Sequence, residues 1–474
     1  MPSPRVRVPQ EPRALAAGLR RLRDGLGVPA EFPTDVLAEA EAAAVAPRLP
    51  VRDCTDVAFV TLDPAGSLDL DQAFHLSRTA GGYLFRYAIA DVAAFVAPGG
   101  RLDAEAHARG ETLYAPNHRI GLHPPVLSEG AASLLPDQVR PALVWELALD
   151  GSGQTTSARV ERGLVRSRAK LDYVSAQAAL DAGTAPEQLQ LLREIGTLRL
   201  QLEAARGGVS LSVPEQEVVA TGRDWTLAYR ATLPIEDWNA QLSLATGMAA
   251  AKLMLDAGTG ILRTLPPARD GAIERLRRIA KALGLAWPHS LAYPDFVRGL
   301  DASVPAQAAM LNSCTTLFRG AAYAAFTGTP PEQPIHAAIA APYAHVTAPL
   351  RRLVDRYAGE VCAAISAGQP VPDWVVAGLP QLPDVMAESG RRANRFERGT
   401  VNLVEALVLS PHLGQEFSGT LIEVEPDDDE GTLQLAVPAV EAKIRGDHLI
   451  LGSEVRATLV AADLLDGDVE FRVL

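Results

Sequence analysis

Between residue 51 and about residue 165 the hydrophobic positions fall in short β-branched and aromatic runs: VAFVTLD, QAFHLSR, YLFRYAIADVAAFV, ALVWELALDGSG and TTSARVERGLVRSR. Alternation with a period near two puts one face of each run against a core, so this stretch predicts strands. On either side the period lengthens. Residues 11–50 carry two amphipathic segments, ALAAGLRRLRDGL and PTDVLAEAEAAAVAPRL, joined by GVPAEF. Apolar residues three and four apart predict two helices there, with Thr34 or Asp35 as N-cap of the second. From about 173 to 408 helical spacing returns in SAQAALDAG, EQLQLLREIGTLRLQLEAAR, WNAQLSLATGMAAAKLMLDAG, AIERLRRIAKALGL, PLRRLVDRYAGEVCAAISAG and RRANRFERGTVNLVEALVL. After Gly414 the chain reverts to five short strand-like runs, EFSGTLIEVE, GTLQLAVP, AVEAKIRG, SEVRATLVAADL and DVEFRVL, a spacing that suggests a small OB-type barrel. The DDDE run at Asp427–Glu430 falls in one of its turns and reads as a solvated tip. The expected fold is α+β in three parts: a helical module over 1–50, resembling a helix-turn-helix, a mixed domain over 51–410, and a barrel over 411–474.

Composition narrows this little. At 474 residues, with 48% hydrophobic and 21% charged positions, the chain has ample length to bury a core. The cysteines Cys54, Cys314 and Cys362 are far apart, form no CxxC pair and are odd in number, so neither a disulfide framework nor a zinc site is expected and a reducing cytoplasm fits. The opening MPSPRVRVPQEPR has no apolar core region, and a charge cuts every long apolar run, as Lys252 cuts ATGMAAAKLML. Secretion and membrane insertion are not expected. A net charge of −13 argues against a protein that coats duplex nucleic acid, although an enzyme that swallows one strand needs only a basic channel. The predicted second helix is acidic, which speaks against its lying in a nucleic-acid groove.

Candidate chemistry concentrates in VTLDPAGSLDLDQAF, where Asp63, Asp69 and Asp71 lie within nine residues. Phosphodiester hydrolysis builds negative charge on the entering and leaving oxygens, and divalent cations held by carboxylates relieve it. In an extended segment Asp69 and Asp71 share one face while Leu68 and Leu70 take the other. An EF-hand is excluded: counted from Asp63, its sixth and twelfth positions hold Leu68 and Phe74 rather than Gly and Glu. By itself the cluster is compatible with a metal site or with a polar turn.

The surrounding motifs carry a resemblance. TLDPAGSLDLDQAF, then YAIADVAAFVAPGGRLDAEAHARGETLYAPNHRIGLHPPVLSEGAASLLPDQVRPALVWEL, then VRSRAKLDY, RGGVSLSVPEQEV, PYAHVTAPLRRLVDR and RRANRFER follow one another over roughly residues 51–408. In that order they resemble the catalytic (RNB) domain of the ribonuclease II and ribonuclease R family, and the barrel after 414 is similar to the OB-fold that ends such enzymes. The resemblance implies a monomeric hydrolytic 3′→5′ exoribonuclease that threads single-stranded RNA into a channel. Degradation would be processive, to nucleoside 5′-monophosphates, with Mg2+ as cofactor and Mn2+ as a substitute.

Carried over by position, Asp63, Asp69 and Asp71 match metal-binding and catalytic aspartates, Asp71 the most critical of them. Gln72 stands where the family usually has a further metal-binding aspartate, and an uncharged ligand should hold the ion more weakly. Tyr114 and Tyr173 match base-stacking tyrosines, Arg351 an arginine against the scissile phosphate, and Arg352 a phosphate contact. Glu397 matches a glutamate near the 3′-terminal nucleotide and is equally readable as a surface partner of Arg395 or Arg398. His345 is expected to pack. Departures are Leu211 where relatives carry an aromatic before an LPE-like turn, Asn239 where they carry an acid, and a helical module in place of two N-terminal cold-shock barrels. These departures motivate the alternative of a catalytically weak or inactive RNB-fold RNA-binding protein.

Overall fold

The computed structural model describes residues 6–7, 13–29, 31–115, 119–211, 215–221, 224–230, 232–302, 304–425, 429–435 and 437–474. Residues 116–118 of LYAPNHR, 212–214 of the LPE-like turn and 427–428 of the DDDE run lie outside this set. The five early strands form where the alternation puts them: Phe59–Asp63, Gln72–Thr79, Gly82–Ala90, Val139–Asp150 and Thr155–Asp172. They close into a barrel. Neighbours pair antiparallel, and Phe59–Asp63 closes the ring by running parallel to the end of Thr155–Asp172, with Asp63 opposite Asp172. Inside, Phe74, Phe85, Tyr87 and Trp145 are fully buried. Closure leaves no free edge, and it places the acidic loop of residues 64–71 across one end of the barrel.

Helices cover that barrel. Glu187–Ala205 and Pro234–Ala257 pack closely because Gly196 leaves room for Trp238, which a Cβ at 196 would meet at 2.4 Å. Leu353–Ser366 lies against Pro234–Ala257, and the long helix Leu382–Leu409 runs on to the C-terminal barrel. That second barrel is closed, with strands Glu416–Val424, Glu430–Leu435, Val440–Arg445, Glu454–Ala462 and Val469–Val473, as expected of an OB-type unit. Its core of Leu421, Leu433, Ile444, Leu459 and Phe471 continues into Leu403 and Val404 of the long helix and into Leu15 and Leu19 of the first helix, Arg13–Gly25. The second helix, Thr34–Val45, instead buries Val36 and Ala40 against the first barrel. The two N-terminal helices therefore serve different cores.

Several expectations shift. Thr34 is the first helical residue, not the cap: Pro33 takes the N-cap position, and the Asp35 carboxylate accepts from the Val36 N–H at 3.0 Å. The strand in YLFRYAIADVAAFV ends at Ala90, and Val92–Ala94 forms a 3₁₀ turn. The helix expected from PLRRLVDRYAG starts only at Leu353. Residues 351–353 instead pair with residues 110–112: the Thr112 N–H donates to the Arg351 carbonyl at 3.0 Å, and the Leu353 N–H to the Gly110 carbonyl at 2.9 Å. The hairpin Thr259–Thr264 with Ala322–Thr327, and a three-stranded sheet of Val6–Arg7, Glu215–Thr221 and Asp224–Arg230, had no forecast.

Candidate active site

The acidic loop is pinned at both ends. Ser133, itself fully buried, donates from Oγ to the Leu68 carbonyl at 2.6 Å and accepts from the Leu70 N–H at 2.9 Å. Lys170 Nζ donates to the carbonyls of Ala65 at 2.7 Å and Ser67 at 2.5 Å. Leu70 is thereby fixed in the core, whereas Leu68 on the same expected face is exposed, because the loop turns instead of running extended.

Asp71 is 5% exposed. Its Oδ1 accepts from the Leu350 N–H at 2.8 Å, and its Oδ2 lies 3.3 Å from Arg351 Nε. Burial pushes its carboxyl up to about 7, against the opposing pull of Arg351 and of the Leu350 N–H. Asp63, at the end of its strand, is pushed up to about 6 by burial, with Arg351 again opposing and Asp69 adding repulsion. Asp69 is ion-paired with Arg119, a residue the sequence reading did not single out. Arg119 also holds Glu129, at 2.9 Å from Nη2 and 3.2 Å from Nε. Its only signal in the sequence was a basic residue five positions after Tyr114.

Tyr114 faces Arg119 across the two-residue hairpin Leu113–Tyr114 and Arg119–Ile120, and its phenol hydrogen-bonds Arg351. Arg351 is held further toward its charged form: burial opposes this, and Tyr114 and Asp71 outweigh it. Arg352 turns away from Asp71 to grip Asp355 with two bonds of 2.8 Å, while Asp355 Oδ1 also takes the Ala348 N–H at 2.7 Å.

Beside these groups lies a cavity of about 600 Å³, whose lining includes Asp63, Gln72, Tyr173, Asn239, Arg351 and Arg352. Arg263, Phe318, His336, Tyr343, His345 and Leu211 also line it. Asn239 Nδ2 donates to the Tyr173 hydroxyl at 3.1 Å. The Gln72 amide oxygen accepts from the hydroxyls of Tyr87 and of Ser243, the latter at 3.1 Å. His345 packs edge-to-face on Tyr343, with Nδ1 2.7 Å from the Tyr323 hydroxyl, and burial holds it neutral. Leu211 packs with Val209 and Phe296, an apolar contact where a stacking ring was absent from the sequence. Glu397, half-buried on the long helix, lies near Glu111 and pairs with neither Arg395 nor Arg398; it does not line the cavity.

Among the described residues, no three His, Cys, Asp or Glu side chains gather into a ready metal-binding group. The donor chemistry nonetheless suits magnesium, which keeps much of its water shell and asks for one or two carboxylates. Asp71 is buried and Asp63 half-buried, and burial opposes the ionisation of both, a penalty that a cation would offset.

Known proteins resemble this chain. The RNB domain matches residues 51–365, and the RNase II-type exonuclease C-terminal S1 domain matches residues 415–474. Ribonuclease R of Aquifex aeolicus is 26% identical over 94% of this chain and 69% of its own length. The exosome complex exonuclease RRP44 homolog A of Arabidopsis thaliana is 30% identical over 76% of this chain, which spans only 40% of that protein. In fold, Mycoplasma genitalium RNase R, solved in complex with ribose methylated single-stranded RNA, superposes with a TM-score of 0.84 at 18% identity, covering 98% of this chain and 78% of that one. Yeast Ssd1, a pseudonuclease, superposes with a TM-score of 0.68 at 16% identity, over 88% of this chain and 55% of its own. Among the described residues no helix is long and apolar enough to cross a membrane. With the RNB match spanning more than half of its residues and the S1 match following it, the chain belongs to the ribonuclease II and ribonuclease R family.

Proposed function

We propose that this protein is a magnesium-dependent hydrolytic 3′→5′ exoribonuclease that takes a single RNA strand into the cavity and releases nucleoside 5′-monophosphates processively, acting as a monomer in the cytoplasm. One observation carries the reading: beside the ladder between residues 110–112 and 351–353, Arg351 bonds Tyr114, pairs with Asp71 and itself lines the cavity. Arg351 offers a guanidinium for the scissile phosphate, where charge accumulates in the transition state. Tyr114 and Tyr173 offer rings on which bases stack without regard to sequence. Asp63 and Asp71, with Asp69 beside them, are the carboxylates around which magnesium would be held; when bound it activates water and neutralises developing charge. Membership of a family that contains ribonuclease R, and the RNA bound in its Mycoplasma genitalium structure, support RNA as the substrate.

A second reading, an RNA-binding protein of RNB fold with weak or no hydrolysis, is favoured by the occupied amide oxygen of Gln72 and by the fold shared with a pseudonuclease. End-labelled single-stranded RNA incubated with magnesium distinguishes the two. Mononucleotide release by the wild type and its loss in Asp71→Asn support the enzyme. RNA bound by the wild type without release supports the second reading.

A further inference from the structure

Three of the four positions in the acidic loop already hold bonds that a second divalent cation would have to displace. Asp69 is paired with Arg119, whose guanidinium Glu129 grips on its other edge. Asp71 is held by the Leu350 N–H and Arg351. Gln72 is uncharged, and its oxygen accepts from Tyr87 and Ser243. Asp63 alone has no side-chain hydrogen bond or ion pair among the described residues. Arg119 is not a passing surface contact: its side chain is 24% exposed against 13% for Asp69, and the hairpin sets it opposite Tyr114.

We propose that in this chain Arg119 takes the place of a second metal ion. The centre binds one divalent cation, at Asp63 and Asp71, and Arg119, braced by Glu129, neutralises Asp69 and holds it in position. The inference rests on the hydrolytic reading above. Formal charge supports it: four carboxylates, Asp63, Asp69, Asp71 and Glu129, face two guanidiniums, Arg119 and Arg351, so one divalent cation brings this inner set to neutrality before RNA binds. A second divalent cation would leave two uncompensated positive charges, with an uncharged amide where the family usually supplies a carboxylate. Phosphoryl-transfer centres place two cations where acids suffice to balance them, and here the acids do not suffice.

Mn2+ binding to the full chain without RNA, followed by electron paramagnetic resonance of the free ion, tests this without reading activity. One ion per chain is expected for the wild type. Arg119→Lys, which keeps the charge, should also bind one ion at wild-type affinity. Arg119→Gln should bind one ion about tenfold more tightly, since a positive charge beside the site is gone. The double variant Arg119→Gln/Gln72→Asp should bind two. Two ions on the wild type, or a single ion on the double variant, overturn the proposal. One ion on a wild type that releases no mononucleotide leaves this inference standing while the hydrolytic reading fails; two ions on a wild type that does release them is the reverse.

Discussion

Asp71 makes the metal-free protein pay for burying a carboxylate, and the cost has a predictable pH profile. Its carboxyl sits near 7 in the folded chain against an ordinary 3.8. A carboxyl raised by folding binds its proton more tightly in the native state, so its stabilising contribution is complete below the unfolded value. That contribution is lost as pH rises, and the loss is complete above about 7. Roughly three units at 1.36 kcal/mol each set a ceiling of about 4 kcal/mol, of which roughly 2 kcal/mol accrues between pH 5 and pH 7. In Asp71→Asn the amide oxygen can still accept from the Leu350 N–H, so the variant keeps that bond without the ionisation penalty. Calorimetry in a chelator should therefore find Asp71→Asn more stable than wild type, the gap widening by about 3 °C from pH 5 to pH 7 and then levelling. That conversion takes roughly 0.7 kcal/mol per degree for a unit of several hundred residues. Asp63→Asn should level about one unit sooner, because Asp63 sits near 6. Magnesium at pH 8 should raise the wild type and leave Asp71→Asn nearly unmoved. A gap that is constant with pH, or that narrows as pH rises, refutes the assignment of Asp71 as a buried, strained carboxylate.

Other perturbations separate structure from function. Arg352→Ala strips the two 2.8 Å bonds from Asp355, a residue 1% exposed, and should cost about 3–5 kcal/mol by denaturant titration; a loss under about 1 kcal/mol contradicts the pairing. Gly247→Ala would set a Cβ 2.1 Å from Tyr343 Cε2 and 2.6 Å from the Ala344 carbonyl, so both the melting temperature and RNA affinity should fall, and an unchanged melt argues against that packing. Tyr173→Phe forfeits only the Asn239 bond and should hold RNA within about threefold of wild type, whereas Tyr173→Ala should lose about 1–3 kcal/mol of stacking; equal affinities for the two variants end the stacking role. Gln72→Asp should lower the magnesium needed for half-maximal RNA hydrolysis, and superimposable titrations would sink the idea that the amide weakens the site.

What the residues revealed in advance follows the range of the interactions involved. The strands from 59 to 172 were legible because period-two burial is local, but barrel closure was not: it depends on Phe59–Asp63 pairing in parallel with a strand end about a hundred residues later. Asp63, Asp69, Asp71 and Arg351 were legible from motifs. Arg119 was not, because a basic residue between a histidine and an isoleucine acquires its role only when a two-residue hairpin aims it at Asp69. Gln72 was read as a weakened ligand, while Tyr87 and Ser243, which occupy its oxygen, lie 15 and 171 residues away.

The misread helix start explains the most. PLRRLVDRYAG has helical spacing throughout, and nothing local distinguishes Arg351 from the residues that follow it. Yet the chain forgoes a turn of helix there and pairs residues 351–353 with residues 110–112. Two ladder bonds, with turn bonds from the Arg351 and Arg352 N–H groups to the Ala348 carbonyl, serve the backbone there in place of a helical turn. The exchange also changes what Arg351 touches. On a continuing helix it would sweep away from its neighbours at 100° per residue; in the ladder it lies two positions from the strand that carries Tyr114, with the Leu350 N–H turned onto Asp71. A tyrosine, an arginine and an aspartate from three distant segments thus share one rigid junction, and that coupling depends on the helix beginning at Leu353.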